Sequence, residues 1–175
     1  MISVIGRKSI SEKMIIIREF QTADAAQASV VFFESFKTYL KERMEINAPH
    51  PAEYTESLMR HTANEDVENI SFVAVEDGTV IGCITVNLAL KRGLGTLIRI
   101  GVMPGNAGKG IGKMLFAAAD KFWRERNTRK VRTCVSSINP GALKFYQSCG
   151  FHQEATLKDH FFEGVDEHQL ALFYR

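Results

Sequence analysis

The chain is poor in the features that mark several common protein classes. Its 175 residues include three cysteines, Cys83, Cys134 and Cys149, with no CxxC pair and no Cys/His spacing of a zinc site. An odd, scattered set of thiols argues against a disulfide framework and a structural metal, so no metal is expected and a reducing cytoplasm is the expected setting. No apolar run approaches the roughly 20 residues that span a bilayer. The opening MISVIGRKSISEK carries charges where a signal peptide needs an apolar stretch, so no membrane partner is expected. Charge of one sign is missing too: 22 Lys and Arg stand against 20 Asp and Glu, leaving +2. The cations are scattered among acids instead of forming a stripe, which leaves nucleic-acid binding without electrostatic support. Only four prolines occur, and no Pro-, Gly- or Ser-rich linker divides the chain.

What is present is core-forming. Hydrophobic residues make up 45% of the sequence, enough at this length for one globular domain. Strong strand character begins at Met14, so an N-terminal extension is expected over 1–13 and a single domain over 14–175. MIIIREF (14–20) is β-branched and short, the pattern of a buried strand. Thr22 or Asp24 then caps a helix through about Lys41, with Ala25, Ala28, Val31/Phe32, Ser35 and Phe36 on one face. Pro49 and Pro51 precede a second helix near 53–62. Two apolar strands flank Asp77-Gly78, whose residues both tolerate the positive φ of a hairpin turn. GTLIRIGV leads into a glycine segment, after which Ile111, Met114, Leu115, Ala118 and Phe122 recur at helical spacing to about Asn127. KVRTCV reads as a strand. Asn139-Pro140 opens another helix that Gly150 ends, and FHQEAT and HQLALFYR close the chain as strands. The order β-α-α-β-β-β-α-β-α-β-β is an α/β arrangement around a mixed sheet.

The glycine segment PGNAGKGIGKMLF (104–116) places four glycines in the eight positions 105–112, directly before a helix. Strand, glycine turn and helix start together make an anion site, because backbone N–H groups converge there and the helix dipole favours negative charge. Two familiar phosphate motifs do not match. A P-loop anchored on Gly112-Lys113 needs glycine at 107 and Ser or Thr at 114, where Ala107 and Met114 stand. A dinucleotide fingerprint starting at Gly108 needs glycine at 113, where Lys113 stands.

A different pattern does match. It runs V-x-P-x-x-x-G-x-G-x-G-x-x-L over Val102, Pro104, Gly108, Gly110, Gly112 and Leu115. Further on comes N-x-x-A-x-x-F-Y-x-x-x-G-F over Asn139, Ala142, Phe145, Tyr146, Gly150 and Phe151. This pair resembles the GNAT superfamily of acyl-CoA-dependent N-acyltransferases, and the resemblance covers Met14 to the end. It implies a mostly antiparallel central sheet flanked by helices, splayed between the fourth and fifth strands. It implies acetyl-CoA as cofactor, with the main chain of Ala107, Gly108, Lys109, Gly110, Ile111, Gly112 and Lys113 around the pyrophosphate. Ile100, Gly101 and Val102 are then expected to offer main-chain hydrogen bonds to the pantetheine arm, and Asn139 to bond that arm from the far side or cap its helix. The side chains of Lys109 and Lys113 are expected either on the phosphates or in solvent. Tyr146 matches the family's general acid, which protonates the departing thiolate. A phenol near pKa 10 and a thiol near 8.5 are close enough for that transfer.

The implied function is direct acetyl transfer to a primary amine of a small molecule or of a peptide or protein N-terminus. An acetyl-CoA-binding regulatory or scaffold module with little catalysis is the alternative, and the resemblance also allows for a homodimer. Two departures bear on this. Ala107 stands where the family usually carries Gln or Arg, a loss of about 0.3 to 1 kcal/mol of phosphate contact. Thr96 to Val102, where many members place an acidic general base, holds only Arg99 as a charged group. Freeing the lone pair of a lysine amine costs roughly 4 to 5 kcal/mol at pH 7, against about 1 to 1.5 for an α-amine, so low-pKa amines are the expected acceptors. Glu34, His50, Asp159, His160 and Glu163 are the expected candidates for a base acting through water.

Overall fold

A computed structural model describes residues 4–10, 13–40, 60 and 62–174. Their strands form one sheet in the order β1-β2-β4-β5-β6-β7-β9-β8, with the short β3 against β4. In chain order these are β1 Val4–Ile10, β2 Lys13–Glu19, β3 Thr62–Ala63, β4 Val67–Glu76, β5 Thr79–Ala89, β6 Leu94–Val102, β7 Lys130–Ser136, β8 His152–Phe162 and β9 Val165–Phe173. The described helices are α1 Ala25–Leu40, α2 Ile111–Glu125 and α3 Pro140–Ser148. The expected helix near 53–62 falls almost wholly outside the described residues. The segment before Met14, expected as an extension, contains an edge strand: β1 runs antiparallel to β2.

The sheet separates two apolar layers. On one face Leu115, Ala118, Ala119, Phe122 and Trp123 of α2 pack with Ile15, Ile17, Phe72, Ile84 and Val86. On the other, Ala28, Val31 and Phe32 of α1 cover Val73, Val80 and Cys83. β5 lies between both layers and is buried along most of its length. β2, by contrast, alternates: Ile15 and Ile17 are buried and Met14 is exposed, so this strand is buried on one side only. The hairpin expected at Asp77-Gly78 is present, with both residues at positive φ, 49° and 77°.

Every strand pairing is antiparallel except that of β6 with β7, which is parallel and short. It runs from Leu94 opposite Lys130 to Thr96 opposite Arg132 and ends there. Past that point Thr133 Oγ1 still donates to the Leu97 carbonyl at 3.0 Å, and the two strands diverge. Counted from β2 and leaving out β3, these are the fourth and fifth strands, where the splay was expected. A register shift in β6 adds to the effect: Thr85 faces Arg99 while Val86 faces Leu97, leaving Ile98 as an extra residue. The bulge lets Leu97 and Ile100 both pack on the α2 side, whereas Arg99 turns its guanidinium over the Phe32 ring of α1, 5.2 Å from its centroid.

Candidate active site

The splay opens a cavity of about 1630 Å³. Its walls are α1, the diverging ends of β6 and β7, the glycine turn with the start of α2, the inner face of α3, and the β8–β9 hairpin. Of the residues expected to bind the cofactor, Ile100, Gly101, Val102, Ala107, Gly108, Gly110, Ile111, Gly112, Lys113, Asn139 and Tyr146 line this cavity, and Lys109 does not.

The glycine turn is built for exposed main chain. After β6, Met103 N–H bonds the Ile81 carbonyl, and Asn106 and Ala107 bond back to Met103 and Pro104. Then the pattern stops. The N–H groups from Gly108 to Lys113 meet no acceptor among the described residues, and the helix ladder begins only with Met114 N–H on the Gly110 carbonyl. The first turn of any helix leaves such donors unmet; here the three residues before the helix, Gly108 to Gly110, join them. Gly108 and Gly110 hold φ of 79° and 81°, the left-handed region that favours glycine. Gly112 serves another purpose: a Cβ there would lie 3.1 Å from Phe145 Cε2, so its bare backbone lets α2 and α3 approach. Both lysines of the turn have protein partners. Lys109 Nζ donates to Asn106 Oδ1 at 2.6 Å, and Lys113 Nζ donates to the Ser148 carbonyl while standing over the Phe145 ring.

Asn139 is the N-cap of α3, its Oδ1 accepting from Ala142 N–H at 3.0 Å, with Pro140 at the first helical position. The cap leaves the amide nitrogen of the same side chain available to the cavity. Tyr146 is buried, its ring edge-on to Phe145 and Phe151 at 5.5 and 5.6 Å. Cys149, at the helix C-cap, does not line the cavity, and burial pushes its thiol pKa up.

Toward α1 and the terminal hairpin the lining turns aromatic, with Phe32, Phe33, Phe36, Phe161 and Phe162. Glu34, Asp159, His160 and Glu163 do not line it, and His50 lies outside the described residues. Two carboxylates do, among the described residues: Glu154 and Glu167. Glu154 is paired with Lys130 at 2.6 Å. Glu167, which sequence reasoning passed over, is buried on β9 and pairs across the strands with Ser136 of β7. Removal from water pushes its carboxyl pKa above the ordinary glutamate value, against smaller opposing pulls from Ser136, His160 and His168.

Comparison with known proteins agrees with this architecture. The Acetyltransferase (GNAT) family profile matches residues 33–151. Streptothricin acetyltransferase of Streptomyces lavendulae is 36% identical over 88 residues, half of this chain and 47% of that protein. The chain spans about half the length of the curated relatives it matches. Among solved structures, the PaiA N-acetyltransferase of Thermoplasma acidophilum in complex with coenzyme A superposes with a TM-score of 0.68 at 25% identity, covering 91% of this chain and 99% of that one. The GCN5-related N-acetyltransferase of Kribbella flavida gives 0.72 at 20% identity, over 91% and 98%, a likeness of fold. With the family profile spanning most of the domain, and the splayed sheet, glycine turn and capped α3 in their expected places, the chain belongs to the GNAT acetyltransferase family.

Proposed function

We propose that the protein is an acetyl-CoA-dependent N-acetyltransferase. It passes the acetyl group directly to a primary amine carried by a small molecule or by the N-terminus of a peptide or protein. The observation that carries this reading is the row of N–H groups from Gly108 to Lys113, unmet among the described residues and set at the start of α2 in the cavity that holds Tyr146. A diphosphate suits such a row, since converging donors and the helix dipole both favour a compact anion. Arg99, Lys113, Arg129, Lys130 and Arg132 outnumber Glu154 and Glu167 in the lining, which suits a polyanion as well. The Thermoplasma relative binds coenzyme A on the same fold. Three unpaired thiols are compatible with work in the cytoplasm.

Acetyl-CoA supplies an acetyl group activated as a thioester. This chain supplies placement and protons. The main chain of the glycine turn holds the diphosphate, and the side of β6 from Ile98 to Val102 that β7 leaves, with no described strand beside it, offers hydrogen bonds to the arm. The amide nitrogen of Asn139 bonds that arm from the α3 side. The Tyr146 hydroxyl holds the proton that the leaving sulfur takes. Aromatic rings from α1 and β8 exclude water from the acceptor side.

Melting with and without acetyl-CoA tests the binding half: a ligand at 100 times its dissociation constant stabilises by about 2.7 kcal/mol. Mass spectrometry of a cell extract supplied with acetyl-CoA and either wild type or Tyr146→Phe tests the chemistry. Absence of any melting shift overturns the reading. A shift without Tyr146-dependent product points to a binding module instead.

A further inference from the structure

We propose that the Glu167 carboxylate is the base that takes the proton from the acceptor's ammonium group; this rests on the N-acetyltransferase reading above. A protonated amine has no lone pair, so direct transfer needs a proton acceptor beside the amine before the C–N bond forms. β6, the strand that enters the glycine turn, cannot supply it, because Arg99 is its one charged residue.

The lining leaves one carboxylate for the task among the described residues. Glu154 stands in a salt bridge with Lys130, which would have to break before it could accept a proton. Glu167 stands in no salt bridge among the described residues, and it pairs across the strands with Ser136 of β7. It sits on β9 opposite the last residue of β7, where the strand has already left β6 and the cavity opens. Tyr146 of α3 lines the same cavity, so a proton acceptor and a proton donor share one space. Glu167 pairs with Ser136 on β7 and Leu157 on β8, and the titratable groups whose charge reaches it are Cys134 on β7, His160 on β8 and the neighbouring His168 on β9. Burial raises its proton affinity toward working pH, which is what a base for ammonium requires.

The protons and electron pairs close as follows. The ammonium gives one proton to the Glu167 carboxylate. The freed nitrogen pair forms the C–N bond with the acetyl carbon, the C–S bond breaks with its pair going to sulfur, and sulfur takes the phenol proton of Tyr146. The second proton lost by nitrogen restores the phenol through solvent, and Glu167 releases its proton to bulk water. One proton is set free for each amide formed.

Two acceptors separate a base from a merely structural residue. Trialanine presents a mostly protonated α-amine at about pH 7, whereas hydroxylamine is already largely free base. Glu167→Gln is expected to lose about tenfold on trialanine, whose α-amine is roughly nine-tenths protonated at pH 7, and to stay within about twofold of wild type on hydroxylamine, with acetyl-CoA binding by calorimetry unchanged. Equal losses on both acceptors, or none on either, overturn the assignment. A second arm needs neither acceptor nor acetyl-CoA. The carboxyl carbon signal that disappears in Glu167→Gln is expected to titrate in ¹³C NMR above the ordinary glutamate value, and titration at or below that value overturns the assignment. Failure of wild type to bind acetyl-CoA would instead sink the reading beneath it.

Discussion

Gly101 of β6 faces Ser35 of α1 so closely that a Cβ on the glycine would stand 2.8 Å from Ser35 Oγ and 3.1 Å from Phe32 Cδ1. The serine hydroxyl lies 2.6 Å from the Val31 carbonyl and 3.0 Å from the Val102 carbonyl, so α1 is held against the strand end that enters the glycine turn. Gly101→Ala is therefore expected to push α1 and β6 apart, costing about 1 to 3 kcal/mol as overpacked cores do. Acetyl-CoA affinity should fall with it, because β6 enters the cavity at this point. Denaturant unfolding and calorimetric titration check the two effects separately; an unchanged affinity would detach α1 from the cofactor side.

Gly110, at φ 81° and ψ 4°, is the residue immediately before α2. An alanine there is strained by about 1 to 2 kcal/mol, and relief of that strain re-aims the N–H groups on either side. Gly110→Ala should lower the melting temperature and remove most of the acetyl-CoA-induced shift. Gly105 provides the control: its φ is ordinary and no atom of the described residues lies within 4 Å of an added Cβ, so Gly105→Ala should stay within about 0.5 kcal/mol of wild type.

Tyr146→Phe keeps the edge-on ring contacts with Phe145 and Phe151 and removes only the hydroxyl. Stability should drop by no more than the about 1 kcal/mol of one hydrogen bond. Turnover should fall about 10²-fold or more, with the acetyl-CoA melting shift intact. Steady-state rates alongside melting curves decide it, and unchanged turnover would remove Tyr146 from proton transfer.

How far these residues could be read before the fold was known depended on whether their signal was local. The glycine turn, the Asp77-Gly78 hairpin and the Asn139-Pro140 cap are fixed by φ preferences and capping within a few residues, so each was legible. The bulge at Ile98 was not. It depends on the pairing of β6 with β5, and no glycine or turn residue marks it. Glu167 escaped for a related reason. It stands between Asp166 and His168 in a polar run, and which of the three turns inward depends on the register of the terminal hairpin, which is irregular between Leu157 and Phe162. Burial of Glu167 is thus a long-range outcome, set by the pairing of β9 with β7 and β8.

Gly95 shows the same close packing away from the cofactor. A Cβ on it would lie 2.6 Å from Trp123 Nε1, and that indole N–H donates to the Asn87 carbonyl at 3.0 Å. The tryptophan is fully buried and cannot swing aside. Gly95→Ala is expected to destabilise the protein by about 1 to 3 kcal/mol while leaving the acetyl-CoA dissociation constant unaltered. Chemical unfolding and ligand titration on the same variant test both statements.

Glu167 also makes a prediction about stability that is independent of turnover. Its carboxyl pKa is raised in the folded protein, chiefly because burial disfavours the charged form. The folded state therefore binds more protons than the unfolded chain between the unfolded value of about 4.3 and the higher folded one. Stability is full below the unfolded value and is lost as pH rises through the folded value, so at neutral pH wild type carries the cost of an ionised buried carboxylate. Glu167→Gln removes that cost while keeping nearly the same size and shape. The variant should melt above wild type at pH 7, and the gap should close as pH falls below about 4. Other titrating groups are common to both proteins and cancel in the difference. Paired melting curves across this range, with the variant equal to or below wild type at pH 7, would show that Glu167 is a stabilising residue and not one kept at stability's expense.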